Sequence, residues 1–406
     1  GWHDRRMIEL SRRIQQIKPS ATLAITAKAA ELRGQGRDII SLSVGEPDFD
    51  TPESARNAAK KAIDEGFTRY TPVPGIPELR EAVAEKFRHD NGLDTTADEV
   101  LISTGGKQCI YNLMQAVLNE GDEVIIPAPY WVSYPDMALL ADAKPVIVET
   151  TAESGFRLTA DQLRAAITPK TRMLMLNSPS NPTGMTYSAA DLEVVGEVVA
   201  AHPRLIVATD DMYEKILFDG KSFATFAQVN PQLKDRTVTL NGVSKAYCMT
   251  GWRIGFCAAP AHLIKAMAKI QSQSTSNPCS ISQKAALAAL TGPQDALHEM
   301  VRTYEARRTW LVERLNAIPG VECMTPDGAF YLFPAIAGWL GKTTPDGTKL
   351  KDDVAVCEWL LEKAGVALVP GTAFGSPGHV RISYAVAQET IEDAVQRIAE
   401  AASTLQ

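Results

Sequence analysis

The sequence predicts an α/β protein: a large domain with a mostly parallel sheet flanked by helices, plus a smaller α+β domain. Three observations predict it. From about residue 95 to 275, short apolar runs alternate with amphipathic stretches at the spacing of βαβ units. Those runs are apolar throughout rather than alternating, as strands covered on both faces are. Beyond residue 295 the pattern changes to one long helical stretch and a few short strands, the mark of a segregated α+β unit. At 406 residues the chain exceeds one simple core. We therefore divide it into a 1–45 arm that joins the small domain, a 46–295 large domain and a 296–406 small domain.

Taken in order, the large-domain strands are expected at Val100–Ser103, Glu123–Pro127, Pro145–Glu149, Met173–Asn177, Leu205–Thr209, Thr237–Asn241 and Ile254–Ala258. Helical spacing marks Lys107–Leu118 and Ala189–Ala201, and a further helix is expected over Met212–Leu217. The small domain should hold a helix from Pro293 to Ala317, then strands at Ala329–Phe333, Val366–Val369 and His379–Tyr384. Helices at Val354–Lys363 and Gln388–Ala402 complete it, and the Lys342–Lys351 stretch, rich in Gly, Thr, Pro and Lys, reads as a surface loop.

Composition narrows the function. Apolar residues at 45% and charged residues at 22% suit an ordinary globular enzyme. A net charge of −7 argues against nucleic acid or an anionic membrane as partner. No run of about 18 apolar residues is present. Six cysteines without C-x-x-C or metal-ligand spacing read as free, mostly buried thiols of a reducing cytoplasm. No H-E-x-x-H stands for a catalytic zinc. Residues 1–6 lack an apolar core for a secretory signal and read as a tag remnant rather than a native arm.

Parallel sheets bind ligands beyond the carboxyl ends of their strands, so the polar residues there come first. After Val100–Ser103, Thr104-Gly105-Gly106-Lys107 opens a helix, where free N–H groups suit a phosphate. It is no Walker A loop, since Leu101 replaces the first glycine and Gln108 the Ser/Thr. A plain strand-to-helix turn is the alternative. After Met173–Asn177, the run Ser178-Pro-Ser-Asn181-Pro-Thr-Gly184 is either a turn or a rigid mount for an amide. Asp210-Asp211-Met-Tyr213 follows the next strand; the acidic pair caps a helix or sets Asp210 against a protonated ring nitrogen. Last comes Ser244-Lys245, with Arg253 eight residues on inside Gly251-Trp-Arg-Ile-Gly255. A lysine attacking a carbonyl needs a depressed pKa, and a phosphate-bearing cofactor needs a guanidinium fork. Lysine for a Schiff base, aspartate for a pyridinium, and arginine with a glycine turn for phosphate describe a pyridoxal-phosphate site.

With those motifs in place, the chain resembles the class I, fold-type I, pyridoxal-phosphate aminotransferases over residues 8–404. The matching segments are Gly45-Glu-Pro-Asp-Phe, Thr68-Arg-Tyr70-Thr-Pro, Gly105-Gly-Lys, Pro129-Tyr-Trp131, Asn181-Pro-Thr-Gly, Asp210-Asp-Met-Tyr213, Ser244-Lys245, Gly251-Trp-Arg253-Ile-Gly and Arg381-Ile-Ser-Tyr. Lys18-Pro-Ser-Ala-Thr22 and Gly75-Ile-Pro-Glu-Leu-Arg80 are similar to the bacterial Iβ aspartate aminotransferases, some of which also use prephenate. The resemblance implies that Trp131 stacks on the cofactor ring and that Asn181 and Tyr213 bond its phenolic oxygen. It implies that Gly105, Gly106, Ser244 and Arg253 cradle the phosphate with Lys107 nearby, joined by Tyr70 from the other subunit of a homodimer. Arg381 would clamp the substrate α-carboxylate, with Gly45 and Asn181 beside it. The sequence departs from the α subgroup near Gln271-Ser-Gln-Ser-Thr-Ser-Asn277, which holds no arginine for a distal carboxylate. Lys107 and Lys18 are the cations available for that carboxylate. A lyase on the same scaffold, an aminotransferase of aromatic or neutral amino acids, and a regulator using the fold as a ligand-binding module are the rival readings. The regulator would bring a basic DNA-binding extension, and none is present.

Overall fold

A computed structural model describes residues 7–406; the expected tag remnant at 1–6 lies outside them. The strands are β1 (Ile40–Ser41), β2 (Val100–Ser103), β3 (Glu123–Ala128), β4 (Lys144–Glu149), β5 (Thr171–Asn177), β6 (Ile206–Asp210), β7 (Thr237–Gly242), β8 (Gly255–Ala258), β9 (Tyr331–Leu332), β10 (Val366–Ala367), β11 (Val369–Pro370) and β12 (Val380–Ser383). Seven of them form the central sheet in the order β2-β8-β7-β6-β5-β3-β4. All run parallel except β8, which is antiparallel to both of its neighbours. All seven strands expected from the apolar runs are present within two residues at each end.

Successive side chains of these strands enter opposite layers, which explains why the runs are apolar at every position. Leu101, Val124, Ile126, Met173, Met175, Val238 and Leu240 pack on one face with the helices Gly106–Val117 and Ala261–Ser272. Ile125, Leu174, Leu176 and Val207 pack on the other with the helix Ala189–Ala200. The edge strand β4 is only half covered.

The reversed β8 matters for function. Its first residue, Gly255, pairs with Ser103 of β2 and Gly242 of β7, so the chain enters β8 at the edge where those strands end. Asn177 and Asp210 lie in register at that same edge.

The C-terminal part holds a 22-residue helix, Asp295–Asn316, and two small sheets. The single strand expected over Val366–Val369 is two strands: β10 pairs with β1 and β11 with β12, with Leu368 turning between them. The expected Val354–Lys363 helix is α-helical over Asp353–Trp359 and widens to a π turn over Leu360–Ala364. A larger correction falls at Met212–Leu217, which is a run of turns rather than a helix. The N–H of Asp211 donates to Leu240 O at 2.8 Å and its carbonyl accepts from Glu214 N, so the segment is tied to β7 instead of coiling onward. Asp211 therefore caps no helix.

Candidate active site

The site is built where four strand ends meet. The helix Gly106–Val117 starts at Gly105, whose φ of +83° and lack of a side chain open its first N–H groups. A Cβ on Gly105 would overlap the Arg253 guanidinium, and one on Gly255 would overlap the Gly105–Gly106 backbone. Both glycines are required for β8 and the helix start to sit this close. Arg253 itself adopts φ +56°, an uncommon conformation for a side chain with a Cβ. It is exposed, and its Nη1 donates to Thr250 O at 2.9 Å. Lys107, in the first turn, places Nζ 5.0 Å from the Trp131 ring centroid. Burial, then the neighbouring Arg253 charge, hold its pKa below the usual lysine value.

Lys245 follows β7 in a turn. Its ammonium donates to Gly45 O at 2.5 Å and lies 5.9 Å from the Tyr213 ring centroid. Burial first, and the Arg381 charge second, lower its pKa to about 8. That is the poise a lysine needs to act as a base near neutral pH. Ser244 is buried beside it.

Asp210 ends β6 almost fully buried. Its Oδ2 accepts from Tyr134 Oη at 2.5 Å and its Oδ1 from Met212 N at 3.3 Å. Burial raises its pKa, and those two hydrogen bonds oppose the rise. Asp211 is as deeply buried, beside Glu214, which itself accepts from Lys86 and Asn91. Among the described residues its Oδ2 has no hydrogen-bond partner, and burial together with Glu214 pushes its pKa well up.

Arg381 lies on β12, 3% exposed, between the rings of Tyr331 (4.6 Å) and Phe374 (5.0 Å). It donates to Asn181 Oδ1 at 2.9 Å and Ser43 O at 2.7 Å, while its Nε has no partner among the described residues. Tyr331 Oη also meets Tyr213 Oη at 2.7 Å, linking Arg381 to the Lys245 side of the site. Trp131 stands edge-on to Tyr134, with centroids 5.4 Å apart at 86°.

Sequence reasoning thus named residues that the fold brings together: Gly45, Gly105, Gly106, Lys107, Asn181, Asp210, Tyr213, Lys245, Arg253 and Arg381. Two others stand apart within this chain. Tyr70 is 91% exposed on a loop, and Lys18 is exposed between the helices Arg12–Gln15 and Ala21–Gly34. Four residues were missed. Tyr134 holds Asp210; Tyr331 flanks Arg381; Ser43 anchors it; Asn177 donates to Asp210 O at 2.8 Å and accepts from Asn181 N at 2.8 Å. Only Asn177 carried a signal, as a polar residue closing an apolar strand.

A lysine poised near pH 8, a buried acid at a strand end, and a glycine-walled helix start with an exposed guanidinium fit pyridoxal phosphate in every part. The profile of the family "Aminotransferase class I and II" matches residues 37–398. The chain belongs to that family and is an aminotransferase, and the family implies pyridoxal phosphate as cofactor. Among known proteins it is 55% identical to the aspartate/prephenate aminotransferase of Cereibacter sphaeroides over 392 residues, 97% of this chain and 98% of that one. The crystal structure of the aspartate aminotransferase from Rhizobium meliloti superposes with a TM-score of 0.97 at 52% identity, covering 98% of this chain and 100% of that one. The Thermus thermophilus aspartate aminotransferase with maleate gives 0.90 at 46%, covering 97% and 100%.

Proposed function

We propose that this enzyme moves the amino group of aspartate or glutamate to a 2-oxoacid, with prephenate as a further acceptor. The observation that carries the reading is Arg381: a buried guanidinium, stacked between two rings and aligned by Asn181 and Ser43, on the Lys245 side of the site. Such a group is preorganised for a carboxylate, because its desolvation cost falls on folding rather than on binding. Relatives named for aspartate and prephenate, and one bound to the dicarboxylate maleate, support the acidic substrate class.

Pyridoxal phosphate, when bound, supplies an electron sink for the charge that develops at the substrate Cα. The helix start at Gly105–Gly106 and Arg253 would hold its phosphate, with Ser244 beside them and Tyr70 of a second copy completing the cradle. Trp131 would cover the ring, Asp210 would keep its nitrogen protonated, and the Asn181 amide and Tyr213 hydroxyl would donate to its phenolic oxygen. Lys245, with its lowered pKa, would serve as the general base that takes the substrate Cα proton. Arg381 fixes the α-carboxylate and so the direction of the Cα–H bond.

The distal carboxylate falls to lysines. The stretch Gln271–Asn277 lies against the Gly105 turn, where Gln108 donates to Thr275 at 2.7 Å, and it offers no arginine. Lys107 serves the short dicarboxylates, and Lys18, on the arm, the longer reach of prephenate. An ammonium is a point charge on a flexible stem and tolerates both distances.

The arm and residues 296–406 form one small domain that closes on 46–295 and excludes water. Pairing of β1 with β10, and packing of Ala29 and Leu32 on Leu361 and Ala367, support that division. The 91% exposed Tyr70 and the exposed Met7, Ile8, Leu10 and Ile14 support a homodimer that covers them. Six free cysteines suit a reducing cytoplasm.

The test is a panel of amino donors against 2-oxoglutarate, oxaloacetate and prephenate, run on the wild type, Lys18→Ala and Lys107→Ala. Selective loss with acidic substrates supports the reading. Equal loss with a neutral donor removes the lysines from carboxylate recognition, and a preference for neutral or aromatic donors overturns the acidic class.

A further inference from the structure

Tyr134 sits in the first turn of the helix Ser133–Leu140, three residues beyond Trp131, and is 2% exposed. Its hydroxyl donates to Asp210 Oδ2 at 2.5 Å, at the short end for any O–H to carboxylate bond. Its ring meets Trp131 edge-to-face. One side chain therefore touches both groups assigned to the cofactor ring, the aromatic cover and the carboxylate.

The electrostatics give that contact a direction. A carboxylate buried this completely tends to take up a proton, and burial does raise the pKa of Asp210. Of the contacts that oppose this, the Tyr134 hydroxyl is the largest, ahead of the Met212 N–H and the Lys245 charge. The other charged or titratable groups around the pair are Asp211 and Tyr213, and neither supplies positive charge. Tyr134 cannot itself lose its proton near neutral pH, since burial and Asp210 push its pKa well above the ordinary phenol value. It is a permanent donor.

We propose that Tyr134 is a positioning residue that keeps Asp210 ionised and fixed in orientation, and thereby sets how firmly the ring nitrogen holds its proton. The inference rests on the assignment of Asp210 to that nitrogen. Without the hydroxyl, Asp210 keeps a weak backbone contact and becomes easier to protonate, and a neutral carboxyl no longer favours a charged pyridinium. The substrate carboxylate contact at Arg381 is untouched, so the loss falls on kcat and cofactor affinity rather than on KM for the amino acid.

The experiment uses the holoenzyme reconstituted with ¹⁵N-labelled pyridoxal phosphate. In Tyr134→Phe, which keeps the packing on Trp131, the ring-nitrogen resonance should move toward that of neutral pyridine. Cofactor affinity of the apoenzyme and kcat should each fall about ten- to hundred-fold, the range for a hydrogen bond to a charged group. A 3-fluorotyrosine at 134, a stronger donor of nearly the same shape, should move the resonance the opposite way, and it serves if the Phe variant is too unstable to purify. Adding Tyr134→Phe to Asp210→Asn should change neither resonance nor affinity further, because the route runs through Asp210. An unchanged resonance in both Tyr134 variants, or additive effects in the double variant, overturns the proposal. An Asp210→Asn single variant with wild-type resonance would instead remove Asp210 from the ring nitrogen.

Discussion

Two guanidiniums bound the site, and they are built in opposite ways. Arg253 is exposed, holds an αL backbone and spends one nitrogen on Thr250 O. Arg381 is buried, sandwiched between rings and bonded to Asn181 and Ser43. The difference follows from what each is expected to hold. A phosphate dianion brings enough charge to order an exposed arginine, with the helix start sharing the load. An α-carboxylate is smaller and must be turned to one angle, which demands a guanidinium that cannot move. Strength at one end and orientation at the other are supplied by different local structures.

Between them stands Lys245, and the largest expected effect comes from removing it. Lys245→Ala should abolish measurable turnover and the visible absorption of bound cofactor while circular dichroism stays unchanged; wild-type rates would undo the whole reading. Arg381→Leu comes next. Truncating one partner of a buried charge pair costs about 2–5 kcal/mol, so kcat/KM should fall accordingly for every amino acid with cofactor occupancy intact. Arg253→Ala should do the reverse, weakening cofactor affinity by about 1.5–3 kcal/mol with little change in KM for the amino donor once the cofactor is saturating. If the two variants exchange phenotypes, the assignment of the two ends is inverted.

A subtler prediction concerns the apoenzyme. The folded pKa of Lys245, about 8, is below the ordinary lysine value of 10.5. The unfolded chain therefore binds the extra proton between those values, and stability rises with pH across that window. Lys245→Met should thus raise the unfolding free energy of the apoenzyme at pH 7 by about 1–3 kcal/mol, and the gain should shrink as pH climbs from about 8 to 10.5. A gain that stays constant from pH 8 to 10.5 would mean that burial does not lower the pKa of this lysine. The smallest effect is expected at Asp211. A carboxyl pushed well toward its neutral form resembles an amide, so Asp211→Asn should alter kcat by no more than a few-fold, against a severe loss for Asp210→Asn.

The sheet was legible because each of its strands is apolar on both faces, a pattern that needs no knowledge of neighbours. The site was legible where chemistry is concentrated in one short segment, as in Ser244-Lys245 with Arg253. It was not legible where contact depends on two distant segments. Tyr134 reads as one more aromatic in a helix, and only the register of β6 against the rest of the sheet brings Asp210 to its hydroxyl. Asp211 misled for the related reason that a capping residue and a buried one look alike until the following backbone is seen. The split of Val366–Val369 was hidden because two adjacent strands in different sheets share one apolar run.

The pairing of β1 with β10 ties residue 40 to residue 366, and this has a consequence for how the molecule is made. Strands β2 to β8 can find one another once Ala258, the end of β8, has left the ribosome, in a chain made at about 5–20 residues per second. The arm cannot. Its strand has no partner until nearly the whole chain exists, and Ala29, Leu32 and Ile39 keep their apolar surface in water until then. A segment synthesised before the sheet is thus placed after it, and the nascent chain carries an unpaired strand and an uncovered helix for most of its time on the ribosome. Chaperone capture should be directed at that arm.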